Sequence, residues 1–458
     1  MSEAPWVPPR VGKTAIVIGA SMAGLCVARV LSERFDHVQV LDRDSLPSSP
    51  TARGQVPQGR HPHLLLVAGA RLVEEWFPGI LDELESGGAV DVDLVRDLYW
   101  YKAGGVARRP PSDLHGPTMS RPFLEWTVRR RVEAIPNVIV RDGVTVDGLG
   151  ADTTGERITS VRIRDGIEEP CDLVVDATGR QARSLVWLQA LGYEDPPVSR
   201  VQVDTRYVTR LYGRTALPSR DWKVAAVIDD PATKRLAMAV PVEGDRWMVL
   251  FGGLHGECAP TDDEELLAYA RSYPSQVVAE VMEASEPIGR PVAHRFPASQ
   301  RRHVERLRRF PLGWVLLGDA VCSFNPIYGQ GMTSAAQQAI ALGSTLDRAG
   351  SVDRSFTLRY FKAASRIVAT PWSIAVGGDF TYEDTKGNKP PGADLVNRYM
   401  GRLIIAGQHD DAVAIRIVEV LGLVRPPTSL MTPAFALRAL RAARRGPVGL
   451  EGVRIPEA

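Results

Sequence analysis

The chain has 458 residues, and its 55 basic and 54 acidic side chains leave a formal net charge of +1. This length allows two or three lobes around a substantial core, and contents of 44% hydrophobic and 24% charged residues are typical of a globular protein. A charge so close to zero offers nothing that would attract nucleic acid or an anionic membrane surface.

The spacing of the cysteines and the shortness of the apolar runs predict where in the cell the protein resides. Cys26, Cys171, Cys258 and Cys322 are widely spaced, without a CxxC pair or a nearby histidine, so we expect unpaired thiols in a reducing environment. The first ten residues lack an apolar core, and we expect a loose leader rather than a signal peptide. Because no apolar run approaches the roughly 18 residues that a membrane-spanning helix needs, the sequence predicts a cytoplasmic protein without stable membrane insertion.

The first predicted elements form a β-α-β unit: a strand at 14–18, a helix ending near 34, and a strand at 38–41 followed by Asp42. The first turn contains Gly19 and Gly24, while Ser21 replaces the middle glycine of a dinucleotide fingerprint. The glycines allow a tight turn and close helix–strand packing, and serine is small enough to admit a phosphate. Asp42 follows Gly19 by 23 residues, close to the spacing of the carboxylate that binds a ribose hydroxyl. The alternative is a Rossmann-like fold without a cofactor.

Residues 52–62 are predicted to form a loop, and a helix is predicted from about residue 63. His61 and His63 suggest a metal site, but no further histidine or cysteine lies at ligand spacing. Two roles stay open for them, one at the edge of a cofactor and one purely structural.

An irregular β segment is predicted over 85–119, and a helix over 122–134. Arg121 stands at the start of this helix, where a cation does not favour the helix dipole. An anionic diphosphate nearby would explain it. Hairpins are predicted over 144–171. A buried strand at 173–175 then ends at Asp176, and a sharp turn at Gly179 precedes a helix from Ser184, giving a second loop on the cofactor side.

Period-two alternation over 200–256 predicts four antiparallel strands. Because these strands are inserted between pieces of the nucleotide-binding lobe, we expect them to cover the cofactor. Their inward side chains, Tyr207, Met238, Trp247 and Phe251, would then line an apolar cavity. Simple sheet core is the alternative for each of them. Helical structure is predicted over 261–284, and a basic connector over 301–309.

The segment 313–342 has an apolar strand, Asp319, a loop rich in proline and glycine, and a helix of small residues. The free N–H groups at such a helix start favour negative charge. A reduced flavin carries negative charge on its pyrimidine edge, and an acid just upstream suits the hydroxyls of a ribityl chain. The alternative is a tight strand-to-helix turn. Beyond residue 346 the pattern predicts helices at 352–365, 393–406, 411–423 and 433–444, with a loop at 377–392.

These motifs together resemble a known family. VPQGRHPHLLL, SRPFLEWTVR, DLVVDATGR, YVTRLY and GDAVCSFNPIYGQGM are similar to segments of flavoprotein monooxygenases of the aromatic-hydroxylase fold. Within that group the chain most resembles bacterial epoxidases that act on polyketide alkenes in polyether pathways, and squalene-epoxidase-like flavoproteins. The resemblance covers about 14–346. The WxWxIP segment of flavin halogenases is absent from the sequence.

The resemblance implies an α/β fold with a Rossmann-like FAD-binding domain, an inserted antiparallel β-sheet substrate domain and a C-terminal helical region. The FAD-binding domain would comprise 1–84, 120–196 and 296–350, the substrate domain 85–119 and 197–295, and the helical region 351–458. The implied contacts to noncovalent FAD are Gly19, Ser21, Met22, Ala23, Gly24, Asp42, Arg43, Gln58, His61, Arg121, Asp176, Gly318, Asp319, Pro326, Gly329, Gln330, Gly331 and Met332.

The resemblance also implies an activity. NAD(P)H would reduce FAD transiently, and one oxygen atom of dioxygen would pass from a peroxyflavin to a lipophilic natural-product intermediate, by alkene epoxidation or hydroxylation of a polyketide or terpenoid, as in antibiotic biosynthesis. No catalytic side chain is identified. Two alternatives remain, an FAD-bound cyclase without redox turnover and a flavin-dependent reductase or dehydrogenase. A separate flavin reductase also stays open as a partner.

Overall fold

A computed structural model describes residues 10–54, 56–214 and 220–450. The leader predicted at the N-terminus lies mostly outside these ranges. Within them, no helix combines the length and the apolar character needed to cross a membrane.

The strands are numbered in chain order. They are β1 Gly12–Ile18, β2 Phe35–Leu41, β3 His63–Leu64, β4 Val90–Asp93, β5 Leu98–Lys102, β6 Gly105–Val106, β7 His115–Met119, β8 Val138–Arg141, β9 Val146–Ala151, β10 Ile158–Ile163, β11 Glu168–Pro170, β12 Leu173–Asp176, β13 Val198–Gly213, β14 Val224–Ile228, β15 Arg235–Val242, β16 Arg246–Gly253, β17 Pro287–Arg302, β18 Trp314–Leu316, β19 Cys322–Ser323 and β20 Lys386–Gly387.

The α-helices follow the same convention. They are α1 Met22–Ser32, α2 Val67–Trp76, α3 Ile80–Ser86, α4 Arg121–Glu133, α5 Ser184–Ala190, α6 Asp263–Arg271, α7 Val277–Glu283, α8 Gly331–Ala349, α9 Arg354–Asp379, α10 Ala393–Gly407, α11 Asp411–Leu421 and α12 Pro433–Ala443.

A parallel sheet with the order β18-β12-β1-β2-β8 forms the centre of the nucleotide-binding lobe. The side chains at 15–18 of β1 are all buried, as expected for a strand covered on both faces. Helices α1, α8 and α9 pack in series beside the sheet. Arg34, two residues after the end of α1, joins Asp347 of α8 through two hydrogen bonds of 2.8 and 2.7 Å. The predicted β-α-β unit is confirmed.

A large, mainly antiparallel sheet has the order β19-β17-β13-β16-β15-β14-β5-β6, with β20 added to β13. We call it the covering sheet. It contains the four strands predicted over 200–256, and β14 pairs in parallel with β5 from the earlier irregular segment. The α/β class with an inserted antiparallel sheet and a C-terminal helical region is therefore confirmed, although the sequence analysis missed the 16-residue strand β17.

Several predicted boundaries are corrected. The helix expected from residue 63 begins at Val67, because His63 and Leu64 instead pair with β7. The basic connector at 301–309 begins inside β17, which also crosses the domain boundary predicted at residue 295. The other domain boundaries stay predictions. The helix predicted over 352–365 continues to Asp379 with Pro371 in its interior, so the predicted loop at 377–392 begins within α9.

Candidate functional site

Three chain segments meet at the carboxyl edge of the parallel sheet. Ile18 at the end of β1 pairs with Asp176 of β12, and Asp176 pairs with Leu316 of β18. The carboxyl ends of neighbouring parallel strands open onto one crevice, which is where ligands bind in such sheets. The fingerprint turn, the turn after Asp176 and the loop after β18 therefore share this edge.

The glycines show how closely these segments approach one another. A Cβ on Gly24 would lie 1.8 Å from the carbonyl oxygen of Gly19, and one on Gly19 would lie 2.7 Å from the carbonyl of Ala177. A Cβ on Gly318 would lie 2.9 Å from the Cβ of Ala23 in the first turn of α1. Gly19 and Gly318 also have φ values of 108° and 67°, which larger residues rarely adopt. Side chains at these positions would force the three segments apart.

The fingerprint turn contacts a buried charged cluster on α4. Ser21 does not cap α1 with its side chain. Its hydroxyl instead donates to Glu125 Oε2 at 2.7 Å and accepts from Arg121 Nη2 at 2.8 Å. Arg53 donates to the other Glu125 oxygen at 2.5 Å. Burial acts to raise the pKa of Glu125, but the charges of Arg121 and Arg53 outweigh it and lower that pKa. The anion beside Arg121 is thus supplied within the protein.

Asp42 fastens the fingerprint turn from the end of β2. One carboxylate oxygen accepts the backbone N–H of Ala20 at 2.7 Å and an N–H of Arg53 at 3.1 Å, while the other accepts from Asp44 N at 2.9 Å. Its side chain keeps 11% of its surface exposed, so contact with a ribose hydroxyl is sterically open and stays a prediction. Arg53, which the sequence analysis did not single out, joins Asp42 to Glu125.

Asp176 is a correction to the predicted contact set. It is fully buried, and its carboxylate accepts from Thr178 N and Oγ1 at 2.8 and 2.6 Å and from Ser184 N and Oγ at 2.8 and 2.5 Å. Both oxygens are therefore used inside the protein, and no bound cofactor can reach them. Asp176 shapes the turn that carries Ala177 against Gly19.

Asp319 has a different environment. Its side chain is exposed to solvent, yet desolvation by the surrounding protein raises its pKa, partly opposed by the charges of Arg121 and Arg180. Exposure and desolvation coexist when a group lies at the base of a deep open cleft. The charges of Arg121 on α4 and of Arg180 in the turn after Asp176 are thus near enough to Asp319 to act on its carboxyl group.

The start of α8 lies beside Asp319. A Cβ on Gly331 would be 3.9 Å from Asp319 Oδ1, and no side chain caps this helix. Gln330 donates to the Leu421 carbonyl at the end of α11 at 3.1 Å, while its Oε1 and Thr333 Oγ1 are buried without a hydrogen-bond partner among the described residues. An uncapped helix start is suited to a polar ligand, whereas Thr333 Oγ1 lies on the side of α8 that faces Gly69 of α2.

The loop before α8 is held by a buried polar cluster. Asn325 Nδ2 donates to Asp379 Oδ1 at 2.8 Å, and Asn325 Oδ1 accepts from Tyr207 at 3.3 Å and Thr205 at 3.4 Å. Burial raises the pKa of Asp379 to about 7, although contacts with Asn325 and Tyr328 lower it. Tyr328 lies close enough to lower the pKa of Asp379. Within the described part of the chain, however, no group makes a hydrogen bond of good geometry with Asp379 Oδ2.

His61 joins the nucleotide-binding lobe to the covering sheet. Its Nδ1 lies 2.8 Å from Thr209 Oγ1 of β13, and its ring lies 5.5 Å from that of His294 on β17. Burial lowers its pKa to about 4, so the ring is neutral at physiological pH, and its Nε2 is buried without a partner in the described residues. His63 donates to the His61 carbonyl at 2.8 Å, and burial lowers its pKa to about 3. The described ranges contain no group of three side chains suited to a metal.

The covering sheet presents only part of the predicted lining to the cofactor side. Tyr207 and Met238 belong to the apolar cluster that contains Ile327 of the loop before α8. Trp247 and Phe251 are a correction, because they lie in the cluster on the opposite face, with residues of α6 and α7. Phe251 pairs with Val208 rather than with Tyr207, and directly opposed residues share a face. Leu250 takes the inward position instead.

The remaining predicted contacts lie around the same edge and stay predictions. Met22, Gln330 and Met332 are buried, Ala23 and Gly329 are partly exposed, and Arg43, Gln58 and Pro326 are exposed. Asn325, Asp379, Thr209 and His294 were missed. Asn325 stands inside the GDAVCSFNPIYGQGM motif and could have been singled out there, whereas Asp379 lay in a predicted loop and carried no sequence signal.

The arrangement fits a flavin dinucleotide. The close glycine contacts, the uncapped starts of α1 and α8 and the accessible Asp319 lie along one crevice. Diphosphates bind at helix starts, and hydroxyl groups bind to carboxylates. The apolar face of the covering sheet completes a site for a ring system.

Comparisons with solved structures identify the fold. A probable FAD-dependent monooxygenase from Pseudomonas aeruginosa, PqsL, matches with a TM-score of 0.59 and 21% identity over 80% of this chain and 96% of its own. The flavin-dependent brominase Bmp2 matches with a TM-score of 0.66 and 14% identity over 95% and 99% of the two chains. The Diels-Alderase PyrE3 of the pyrroindomycin pathway matches with a TM-score of 0.59 and 18% identity over 90% of this chain and 80% of its own. The chain thus shares its fold with an FAD-dependent monooxygenase, a flavin-dependent brominase and a Diels-Alderase.

No protein-family model matches the chain. A sequence relative, Protein Rv3254 of Mycobacterium tuberculosis, is 33% identical over 413 residues, which cover 84% of this chain and 85% of the relative. At this identity and coverage, the chain belongs to the same family as Protein Rv3254.

Proposed function

We propose that the protein is an FAD-dependent monooxygenase that adds one oxygen atom to a lipophilic polyketide or terpenoid, by alkene epoxidation or hydroxylation. The observation that carries this proposal is the meeting of the fingerprint turn, the turn after Asp176 and the loop containing Asp319 beneath one apolar face of the covering sheet. The fold shared with PqsL supports it.

Each segment has a role in holding FAD noncovalently. Gly19, Ser21 and Gly24 would admit the diphosphate at the start of α1, beside the cluster in which Arg53 and Arg121 are paired with Glu125. Asp42 would accept a ribose hydroxyl, and Asp319 would accept hydroxyls of the ribityl chain. The start of α8 at Gly331 would place its free N–H groups toward the pyrimidine edge, where they favour negative charge. Glu125 holds the two arginines in place beside the fingerprint turn.

Bound FAD, once reduced by NAD(P)H, supplies dioxygen activation and the transfer of one oxygen atom to an electron-rich substrate. The protein supplies a water-poor cavity and orientation. Leu236, Met238 and Leu250 give the covering sheet an apolar inner face. Burial raises the pKa of Tyr207 well above its ordinary value, so its hydroxyl remains neutral and donates to Asn325. An alkene needs no deprotonation before it accepts the oxygen atom, so the apolar side chains of this inner face suit alkene epoxidation, whereas the neutral His61 beside Thr209 is the group that could assist a phenol.

The test is oxygen incorporation under heavy-isotope dioxygen. The full chain, loaded with FAD and supplied with NADH or NADPH, would be incubated with separate panels of lipophilic alkenes and phenols, with and without a flavin reductase. The proposal predicts products that carry one heavy oxygen atom, detected by mass spectrometry. Conversion without oxygen or reductant would instead identify a cyclase. Anaerobic substrate reduction would identify a reductase, and either result would overturn the proposal.

A further inference from the structure

The turn at residues 325–329 leads into α8 and lies against the end of α9. Within the turn, Asn325 Oδ1 accepts the backbone N–H of Ile327 at 3.3 Å. A Cβ on Gly378 of α9 would lie 2.1 Å from the Tyr328 hydroxyl oxygen, so the helix backbone is in direct contact with the Tyr328 side chain. The position of the turn therefore depends on the last turn of α9.

Asn325 connects this turn to Asp379. Asn325 is fully buried, and besides the N–H of Ile327 its Oδ1 accepts from Tyr207 at 3.3 Å and from Thr205 at 3.4 Å. Three donors on Oδ1 fix the orientation of the amide, so that Nδ2 faces Asp379 and donates to it at 2.8 Å. Among the described residues, Asp379 is the acceptor on which Asn325 Nδ2 depends.

The position of Asp379 disfavours a negative charge. Asp379 is the last residue of α9 and is fully buried. The carboxyl end of a helix carries partial negative charge, which opposes an anion there. In the described part of the chain no cation pairs with Asp379, and its Oδ2 has no hydrogen-bond partner. Because an ionised carboxyl group buried without compensation is costly, the neutral form of Asp379 is favoured.

The neighbouring titratable groups do not share this behaviour. They are three tyrosines and a histidine: Tyr207 of β13, Tyr328 of the turn, Tyr382 after α9, and His255 after β16, which reaches α9 through Thr385. Burial raises the pKa of each tyrosine and lowers that of the histidine, so all four are neutral at physiological pH. Burial raises the pKa of Asp379 to about 7, which makes it the member of this cluster that changes charge near neutral pH.

We propose that neutral Asp379 is a positioning residue that holds the turn at 325–329 through Asn325, and that ionisation of Asp379 releases the turn and weakens flavin binding. The turn directly precedes Gln330 and Gly331 at the start of α8, beside Asp319. Movement of the turn would therefore displace the helix start that favours the pyrimidine edge. The effect on flavin rests on the proposed function, whereas the hold on the turn does not.

Hydrogen exchange tests the hold on the turn. Flavin-depleted unaltered protein and Asp379→Asn would be compared at pH 6 and pH 8.5 by mass spectrometry of peptides that contain residues 325–329. Asparagine still accepts from Asn325 and cannot ionise. We therefore expect equal exchange at pH 6 and exchange about fivefold faster in the unaltered protein at pH 8.5. Peptides of the buried strand β12 should not differ between the two proteins. Equal exchange of the turn at pH 8.5 would overturn the proposal.

The dissociation constant of FAD, measured by fluorescence titration over the same pH range, tests the effect on the cofactor. For the unaltered protein it should rise about fivefold between pH 6 and pH 8.5, because the turn is held only while Asp379 is neutral. Asp379→Asn should show no such rise. Asp379→Ala, which leaves Asn325 Nδ2 without its acceptor, should bind FAD weakly at both ends of the range.

Asp384→Asn is the matched control, because Asp384 is exposed and should leave the pH dependence of the unaltered protein intact. A pH dependence that persists in Asp379→Asn would overturn the proposal. Thermal melting shows whether each variant is folded, and Asp379→Ser, which also cannot ionise, replaces Asp379→Asn if the latter is unfolded.

Failure of this proposal and failure of the proposed function give different results. A protein that shows the exchange difference but binds no FAD would retain the hold of Asp379 on the turn without being a flavoprotein. A protein that binds FAD with the same pH dependence in the unaltered form and in Asp379→Asn would retain the cofactor site without this positioning role.

Discussion

Two carboxyl groups near the crevice show how environment separates residues of one type. Asp319 is accessible from the crevice, whereas Asp379 is fully buried beneath the loop that precedes α8. Burial acts to raise the pKa of both, but Arg121 and Arg180 oppose this for Asp319, while for Asp379 only neutral groups, Asn325 and Tyr328, oppose it. Asp319 is thus suited to binding a ligand, and Asp379 to supporting the loop.

Asp319→Ala should weaken FAD binding at least tenfold, because the ribityl hydroxyls lose a charged acceptor. The measurement is the dissociation constant of FAD, obtained by fluorescence titration of the flavin-depleted protein. Asp113→Ala is the matched control, since the Asp113 side chain is 91% exposed and lies away from the crevice. Unchanged affinity in Asp319→Ala would remove Asp319 from the cofactor site.

Asp379→Asn should change how stability depends on pH. The folded protein holds this proton up to a pKa of about 7, against an ordinary value of 3.8. The contribution to stability is therefore complete below the ordinary value and is lost as pH rises through about 7. Asparagine does not ionise. Between pH 4 and pH 8, the free energy of unfolding of the variant should therefore rise relative to that of the unaltered protein by up to about 4 kcal/mol.

Urea unfolding at a series of pH values measures this difference. Asp384→Asn serves as the control, because Asp384 is exposed and its contact with Lys234 lowers its pKa, so it should show no gain at high pH. Parallel stability curves for Asp379→Asn and the unaltered protein would contradict the assigned environment of Asp379.

At the scale of elements, alternation along a strand was predictable, but the pairing of strands was not. The sequence correctly located β13, β14, β15 and β16, yet the faces of Trp247 and Phe251 depend on their register with β13. A shift of one residue exchanges the two faces of a strand, and no local pattern specifies that register. Asp379 was missed for a related reason, since α9 continues past Pro371 and proline usually ends a helix.

Phe251→Ala tests the corrected face. Phe251 is 1% exposed and contacts Tyr269 and Tyr273, so the variant should lose about 3–5 kcal/mol of unfolding free energy. FAD affinity should remain unchanged, because the side chain points away from the crevice. Urea unfolding and FAD titration measure the two quantities. A loss of FAD affinity in a folded variant would show that the Phe251 side chain faces the cofactor, which would contradict the correction.

At the scale of the whole molecule, the candidate site depends on parts of the chain that are far apart in sequence. Gln330 beside α8 is held by the end of α11, and Asn325 is held by the end of α9 and by β13. The sequence motifs predicted the fingerprint turn and the loop with Asp319, because their turns and glycines are local features. The support from the C-terminal helices could not be predicted, since it arises only from tertiary packing.

The flavin content of the purified protein tests the central claim most directly. The full chain, purified gently, would be analysed by absorbance spectroscopy and by mass spectrometry of the small molecules released on denaturation. Our account predicts a yellow protein that releases intact FAD at close to one molecule per chain, and a flavin-depleted protein that regains FAD and melts at a higher temperature with it. A folded, colourless protein that neither carries FAD nor gains stability from added FAD would contradict the account.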